Sequence, residues 1–254
     1  MIFETHAHYA DERFDGEREE LLLSMKSRGV GNIIEVGAGF VSTKQAVQLS
    51  KQFDFIYGAV GIHPEDMGRM EEKDIEWLRE LAALPKIVAI GEIGLDYHYE
   101  EPVPSVQQKW FRRQLELARE VALPVIIHSR DAARDTLEIM QELHAEEIGG
   151  VIHCYSYSWE MAKVYLEMGY YLGVGGVVTF KNGRKLQEVV ENAPLDRLVL
   201  ETDSPYLAPE PNRGTRNDST NLQYVAEKIA ELKGTTAEEV IRVTEENARK
   251  LYRL

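Results

Sequence analysis

PVIIHSRDAARDTLEIMQELHAEEIGGVIH, residues 124–153, contains one complete repeating unit of the fold. An apolar, β-branched run at Pro124–His128 is followed by a helical pattern over Ala132–Glu146 and by a second apolar run at Gly150–His153. Short, continuous apolar runs are typical of parallel strands that are covered on both faces. The segment therefore predicts two parallel strands connected by a helix.

The same alternation extends in both directions along the chain. We predict eight strands, at Ile2–His6, Asn32–Gly37, Phe55–Gly61, Ile87–Glu92, Pro124–His128, Gly150–His153, Tyr170–Val174 and Leu198–Glu201. Helical patterns lie at Glu17–Arg28, Thr43–Lys51, Glu72–Ala82, Val106–Val121, Ala132–Glu146, Trp159–Met168, Arg184–Glu191, Asn221–Leu232 and Thr236–Tyr252. We expect Ser105 and Thr235 to cap helices, and Gly29, Gly169 and Gly234 to end them. This pattern predicts an α/β fold, the (β/α)8 TIM barrel, as one domain over residues 1–254.

The composition argues against several classes of protein. The single cysteine, Cys154, excludes an intramolecular disulfide and suits a reducing cytosol. The N-terminus does not resemble a signal peptide, and no apolar stretch approaches the roughly 20 residues of a membrane span, so we expect a cytoplasmic protein. The net charge of −14 argues against general DNA coating. It leaves a nucleic-acid enzyme open, because divalent cations and a few arginines can invert the field in one pocket.

Polar residues that do not belong in buried strands fall where the predicted strands end. Of the seven histidines, five lie at or just after these ends: His6, His8, His63, His128 and His153. Two carboxylates share this position, since Glu92 ends the fourth strand and Asp203 follows the eighth. Barrel enzymes carry their catalytic groups on that face. The pattern therefore predicts a functional site built from these side chains.

The residue types indicate a metal site. Imidazole and carboxylate ligands suit zinc, manganese and similar cations. His6 and His8 are two apart in a strand and point the same way, and Glu92 has two oxygens with which it can bridge two cations. Four histidines and two carboxylates exceed the three protein ligands of one catalytic zinc, but they suit two cations about 3.5–4 Å apart. Each residue alone has a structural explanation; the joint pattern favours metal.

Six segments resemble, in order and spacing, the signature segments of TatD-like metal-dependent deoxyribonucleases, which belong to the amidohydrolase-type barrel superfamily. They are ETHAHYAD (4–11), GIHPED (61–66), AIGEIGLDYH (89–98), VIIHSRDA (125–132), VIHCYS (151–156) and LETDSPYLAP (200–209). The resemblance extends from His6 to Asn217, nearly the whole chain. One departure is Glu4, where the family usually has aspartate; it concerns the positioning of the ligands rather than the ligand set.

The resemblance implies two divalent cations with a set of ligands for each. The candidate ions are magnesium, manganese and zinc. The first set is His6, His8, Glu92 and Asp203. The second set is Glu92, His128 and His153. It also implies that His63 contacts the substrate phosphate, and that Asp96 and Arg130 orient ligands or substrate.

The function that the resemblance implies is hydrolysis of DNA phosphodiester bonds, of the 3′–5′ exonuclease type, by a two-metal-activated hydroxide. Asp203 is the predicted general base, and Glu92 is the second predicted catalytic carboxylate. Arg213 is the favoured phosphate-binding cation, because TIM barrels often bind phosphate in the loops after strands seven and eight. We expect DNA or a nucleotide as the substrate and a monomeric protein.

The sequence leaves two alternatives open. The same metals could hydrolyse a small amide, ester or lactone, as other members of the superfamily do; a bridging lysine would favour that branch, and the bridging position here is Glu92. A non-catalytic metal-binding barrel is disfavoured, because the ligand set leaves coordination positions open to water or substrate.

Overall fold

The computed structural model describes the whole chain, Met1–Leu254. The strands are β1 Ile2–Ala7, β2 Val30–Val36, β3 Ile56–Val60, β4 Ile87–Asp96, β5 Val125–Arg130, β6 Gly150–Ile152, β7 Tyr171–Val174 and β8 Leu198–Leu200. The α-helices are α1 Arg18–Ser24, α2 Phe40–Gln52, α3 Glu72–Ala82, α4 Pro104–Val121, α5 Ala133–Glu142, α6 Trp159–Glu167, α7 Arg184–Asn192, α8 Leu222–Lys233 and α9 Ala237–Tyr252. The strands follow chain order in one eight-stranded sheet. This is the connectivity of the predicted (β/α)8 TIM barrel, so the fold class is confirmed.

Contacts between residues divide the chain into two compact units. Unit 1 comprises Met1–Glu35, Cys154–Glu167 and Tyr171–Leu254. Unit 2 comprises Val36–His153 and Met168–Tyr170. The single domain over residues 1–254 stays a prediction.

The core of unit 2 forms around the parallel pair β4 and β5. Their apolar side chains are fully buried, namely Ile90, Ile93, Leu95, Val125, Ile126 and Ile127. Gly94 allows the two strands to approach, since it has φ +149° and a Cβ at this position would lie 1.9 Å from the carbonyl oxygen of His128. The register of the pair shifts between Ile90 and Ile93. Such irregularities re-aim side chains, and this one contains Glu92.

In unit 1, hydrogen bonds join β1, β8 and α9. The Thr5 hydroxyl donates to the carbonyl oxygen of Leu200 at 2.8 Å. The Tyr252 hydroxyl donates to the carbonyl oxygen of Thr5 at 3.1 Å, and its ring stacks on Phe3 with a centroid distance of 6.4 Å. All of these residues are buried. The C-terminal helix therefore fixes β1, the strand that carries the first candidate ligands.

Both predicted N-terminal helix caps are wrong, and most helix ends differ from the predicted ones by a few residues. Ser105 does not cap α4, because Pro104 is the first helical residue and Val103 precedes it. Thr236, and not Thr235, caps α9, with its side chain accepting from the N–H of Glu239 at 3.2 Å. The glycine stops are confirmed, since Gly29, Gly169 and Gly234 all have positive φ. No helix of the chain combines the length and apolar character needed to cross a membrane.

Candidate metal centre

Three of the predicted ligands converge in unit 1. The Nε2 atoms of His6 and His8 lie 3.1 Å apart. Asp203 Oδ1 lies 3.3 Å from Nε2 of His8 and 3.8 Å from Nε2 of His6. His6 is buried, whereas the side chains of His8 and Asp203 are 14% and 21% exposed. This group, which we call the unit 1 donor group, can therefore be reached from solvent.

The backbone holds the end of β1 against the segment that follows β8. The N–H of Asp203 donates to the carbonyl oxygen of His6 at 3.0 Å, and the N–H of His8 donates to that of Ser204 at 2.8 Å. Asp203 has φ +59°, in the left-handed region that non-glycine residues seldom adopt. Such conformations persist where the surrounding structure fixes them, and they cluster at functional sites. The position of Asp203 is thus imposed by tertiary structure.

A buried carboxyl group, Glu4, connects the two segments that carry the unit 1 donor group. Its Oε1 accepts hydrogen bonds from the N–H of His6 at 3.1 Å and the N–H of Thr202 at 2.9 Å. Its Oε2 accepts from the Thr202 hydroxyl at 2.7 Å. Burial raises the pKa of Glu4 to about 8, against the lowering effect of these hydrogen bonds. Glu4 therefore positions the residues beside two candidate ligands.

A second buried carboxyl group fixes the loop after His8. Glu35, on β2, accepts hydrogen bonds from the N–H groups of Tyr9 and Ala10, both at 2.8 Å. Burial raises the pKa of Glu35 to about 7, although the hydrogen bond from Ala10 lowers it in part. Glu35 was not predicted from the sequence, in which it is marked only as a carboxylate within an apolar strand.

The predicted ligands of unit 2 converge on one oxygen of Glu92. His128 Nδ1 lies 2.8 Å from Glu92 Oε1. His63 Nε2 and His153 Nε2 each lie 3.8 Å from the same oxygen. The backbone N–H of Glu92 donates to the carbonyl oxygen of Gly37 at 2.9 Å, which holds the residue in place. The structure thus joins three histidines and one carboxylate in what we call the unit 2 donor group.

Asp96 orients the ring of His128. Its Oδ2 lies 2.9 Å from His128 Nε2, and its Oδ1 accepts from the N–H of His98 at 2.9 Å. Burial lowers the pKa of His128, but hydrogen bonds with Asp96 and Glu92 outweigh this and raise it to about 9. A carboxylate on one ring nitrogen, which directs the other nitrogen toward a donor group, is the usual support of a metal-binding histidine.

A backbone hydrogen bond at His63 bears on the role of this side chain. Its Nδ1 accepts from the N–H of Glu65 at 3.3 Å. A neutral ring that accepts at Nδ1 carries its proton on Nε2 and donates from that atom. Such a ring suits a phosphate oxygen better than a cation, which needs a lone pair on the nitrogen. The protonation of the ring therefore favours the predicted substrate contact of His63 over a ligand role.

The donor chemistry of both groups fits divalent cations. In unit 1 the donor atoms of His6, His8 and Asp203 all lie within 4.8 Å of one another. In unit 2 those of Glu92 and His128 lie within the same distance, together with His63, and His153 Nε2 lies 3.8 Å from Glu92 Oε1. Mixed imidazole and carboxylate donors suit zinc, manganese and related ions. Converging side chains of this kind are costly to bury without an ion or a proton between them. Each unit thus brings together predicted ligands whose chemistry suits a divalent cation.

The two predicted arginines lie on the surface beside aromatic rings. The Arg213 side chain is 51% exposed, lies 4.3 Å from the centroid of the Phe180 ring and 3.9 Å from Glu210. Arg130 is exposed and lies 5.7 Å from the centroid of the Tyr99 ring. These contacts leave guanidinium donors accessible, and a role for either arginine in binding substrate stays a prediction.

The chain is similar to one protein family, to individual proteins and to a solved structure. The family described as "TatD related DNase" matches residues 3–253. "Uncharacterized metal-dependent hydrolase YabD" of Bacillus subtilis is 46% identical over 254 residues, covering 100% of both chains. "3'-5' ssDNA/RNA exonuclease TatD" of Cronobacter sakazakii is 31% identical, covering 99% of this chain and 97% of its own. The crystal structure of YjjV, a TatD homolog from Escherichia coli K12, has a TM-score of 0.93 at 29% identity, covering 100% of this chain and 98% of its own.

Proposed function

Because this chain belongs to the family of TatD-related DNases and is a metal-dependent hydrolase, we propose that it removes nucleotides from the 3′ end of single-stranded DNA by hydrolysing phosphodiester bonds. The relative from Cronobacter sakazakii, named a 3′–5′ exonuclease of single-stranded DNA and RNA, supports this direction and substrate class. The non-catalytic alternative is set aside, since the family relationship identifies a hydrolase.

The observation that carries the proposal is the convergence of predicted ligands in each unit: His6, His8 and Asp203 in unit 1, and His128 and His153 on one oxygen of Glu92 in unit 2. We assign one divalent cation to His6, His8 and Asp203. We assign a second to Glu92, His128 and His153, with magnesium, manganese and zinc as the candidate ions. The further assignment of Glu92 to the first cation, which the family resemblance implies, stays a prediction.

Bound divalent cations would lower the pKa of a water molecule and polarise the phosphoryl oxygens. Asp203 is the proposed general base, because its carboxylate is partly exposed and borders a cavity of about 30 Å³, which has room for water. It accepts the proton of the attacking water as the new oxygen–phosphorus bond forms, and the bond between phosphorus and the 3′-oxygen of the preceding nucleotide breaks; that oxygen leaves as a hydroxyl group after taking a proton from water. Glu92, with three imidazoles around one oxygen, is the second proposed catalytic carboxylate.

The phosphate contacts follow from side chains that can donate hydrogen bonds. His63 would donate from Nε2 to a phosphate oxygen, since its Nδ1 is an acceptor of the Glu65 N–H. Arg130 and Arg213 are proposed as further phosphate contacts, because their guanidinium groups are accessible. We also propose that the protein acts as a cytoplasmic monomer.

The experiment adds magnesium, manganese or zinc to metal-stripped protein in the presence of a 5′-labelled single-stranded DNA oligonucleotide. We expect metal-dependent shortening from the 3′ end, and its loss in Asp203→Asn. Asp196→Asn, at an exposed aspartate in the same unit, is the matched control and should retain activity. Protein that binds cations yet cleaves no oligonucleotide with any of them would contradict the proposal and favour a small-molecule ester, amide or lactone substrate.

A further inference from the structure

Several arginines lie in or contact the loops that follow β1 and β8 in unit 1. Three of them face a carboxylate: Arg18 with Asp15 at 2.6 Å, Arg216 with Glu17 at 3.0 Å, and Arg213 with Glu210 at 3.9 Å. Arg13 forms no such pair. Its guanidinium carbon lies 4.6 Å from the centroid of the Tyr206 ring. The hydrogen-bond donors of Arg13 are therefore available to an external anion.

Tyr206 lies in the same turn as the proposed general base. Its N–H donates to the carbonyl oxygen of Asp203 at 2.9 Å. The residue is 41% exposed, and the following Leu207 is 38% exposed with φ +53°. A bulky residue in the left-handed region is held there by its surroundings. The turn thus presents an aromatic and an aliphatic side chain to solvent, three and four residues beyond Asp203.

Asp11 holds both members of the Arg13–Tyr206 pair. Its Oδ1 accepts from the backbone N–H of Arg13 at 2.8 Å. Its Oδ2 accepts from the Tyr206 hydroxyl at 3.1 Å. Because the ring is fixed at its hydroxyl and the backbone of Arg13 is fixed by the same carboxylate, the pair is already ordered before a ligand arrives. Such preorganisation lowers the entropic cost of binding.

An exposed aromatic ring beside an unpaired arginine suits a single-stranded nucleic acid. Bases stack on aromatic side chains with little dependence on sequence, and arginine binds phosphate through two parallel hydrogen bonds. The chain as a whole carries a net charge of −14, which repels polyanions. An unpaired arginine therefore changes the local electrostatic potential more here than it would on a basic protein.

We propose that Tyr206 and Arg13 form a binding subsite for single-stranded nucleic acid beside the unit 1 donor group. Tyr206 stacks on a base, and Arg13 binds a neighbouring phosphate. The inference rests on the proposed nuclease function and adds to it two residues that contact the substrate. Arg13 was not predicted from the sequence, where it is one of several charged residues in YADERFDGEREE.

The test measures binding separately from cleavage. Metal-loaded protein is titrated with a fluorescein-labelled single strand whose phosphorothioate linkages resist hydrolysis, and the anisotropy gives Kd at several salt concentrations. The variants are Tyr206→Ala, Tyr206→Phe and Arg13→Gln. The matched controls are Tyr224→Ala, at a tyrosine on α8 that is 36% exposed, and Arg242→Gln, at an exposed arginine on α9 that pairs with Glu239.

We expect Tyr206→Ala to raise Kd about tenfold, and Tyr206→Phe to raise it less, because the ring remains while its hydroxyl contact with Asp11 is lost. Arg13→Gln should raise Kd and reduce the slope of log Kd against log salt by about 0.7, the contribution of one phosphate contact on a single strand. Both controls should leave Kd and slope unchanged.

Unchanged Kd in Tyr206→Ala and Arg13→Gln, or an unchanged protein that does not bind the strand, would overturn the subsite. Cleavage of an unmodified oligonucleotide is measured in parallel. If the unchanged protein cleaves DNA and the Kd values of the variants are unaffected, the subsite is rejected and the nuclease function is retained. If the variants bind more weakly but the unchanged protein cleaves no DNA, the subsite is retained and the nuclease function is rejected.

Discussion

Two hydrogen bonds join the Glu4 carboxylate to Thr202, one from the backbone N–H at 2.9 Å and one from the hydroxyl at 2.7 Å. Glu4 precedes the candidate ligand His6 by two residues, and Thr202 immediately precedes Asp203. The same carboxylate accepts from the N–H of His6 at 3.1 Å. A single buried side chain therefore links the two segments whose histidines and aspartate form the unit 1 donor group.

Replacing Glu4 should weaken metal binding in unit 1. In Glu4→Ala the N–H groups of His6 and Thr202 lose a buried acceptor, so we expect the affinity of the unit 1 donor group to fall about 10- to 100-fold. Calorimetric titration of metal-stripped protein with zinc or manganese measures this. Glu4→Gln keeps a carbonyl acceptor and should lose less. Equal affinity in Glu4→Ala and the unchanged protein would refute this positioning role.

Glu35 makes the stability of the protein depend on pH. Its pKa is about 7 in the folded protein, above the usual 4.5 of a glutamate side chain, because burial disfavours the charged form. Between these values the folded state binds more protons, so stability falls as the pH rises. The stabilisation of the folded state by the protonated Glu35 side chain is thus fully present below about pH 4.5, and it is lost as the pH rises through about 7.

Glu35→Gln removes this titration. On raising the pH from about 5 to about 8, the free energy of unfolding of the unchanged protein should fall relative to that of Glu35→Gln by an amount on the order of 3 kcal/mol. Chemical denaturation of metal-free protein at both pH values gives the comparison. Glu20→Gln, at an exposed glutamate of the same unit, is the control. A difference that does not vary with pH would show that Glu35 does not titrate in this range.

Asp96→Asn should weaken metal binding in unit 2. The substitution removes the negative charge that orients His128 and raises its basicity through the contact of 2.9 Å. We expect the affinity of the unit 2 donor group to fall about 10- to 100-fold. Asp135→Asn, where the native aspartate accepts from the Tyr97 hydroxyl at 2.8 Å, serves as the control. Similar affinities for both variants would argue against an orienting role.

The metal content of Glu92→Ala tests the bridging assignment. If Glu92 ligates both cations, as the family resemblance implies, the purified variant should retain neither in stoichiometric amount. Elemental analysis of the variant and of the unchanged protein gives the ratio of metal to chain. Retention of one equivalent would limit Glu92 to a single cation, and retention of two would exclude it as a ligand.

The sequence predicted the strands and the candidate ligands because both follow from local chemistry. Apolar runs identify parallel strands, and histidines at their ends stand out against these runs. It predicted element ends less well. β4 continues from the predicted end at Glu92 to Asp96, since Gly94 allows its backbone to stay close to β5. The consequence of a glycine depends on what faces it, which the sequence does not reveal.

Supporting residues were harder to predict than ligands. Glu35 fixes the Tyr9 and Ala10 backbone, and Arg13 lies against Tyr206, only because separate segments meet in the folded chain. Neither residue has a distinctive spacing in the sequence. By contrast, His6 and His8 are recognisable in the sequence, because residues two apart in one strand point the same way. Long-range hydrogen bonds and ring contacts thus account for most of what the sequence did not predict.

We propose that this metal-dependent hydrolase shortens single-stranded DNA from its 3′ end. The most direct test compares two 5′-labelled oligonucleotides of the same sequence, one unmodified and one with phosphorothioate linkages at the 3′ end, in the presence of metal-loaded protein. We predict a ladder of progressively shorter labelled products from the unmodified strand and none from the protected strand. Intact DNA in both reactions, or equal cleavage of both strands, would contradict the claim.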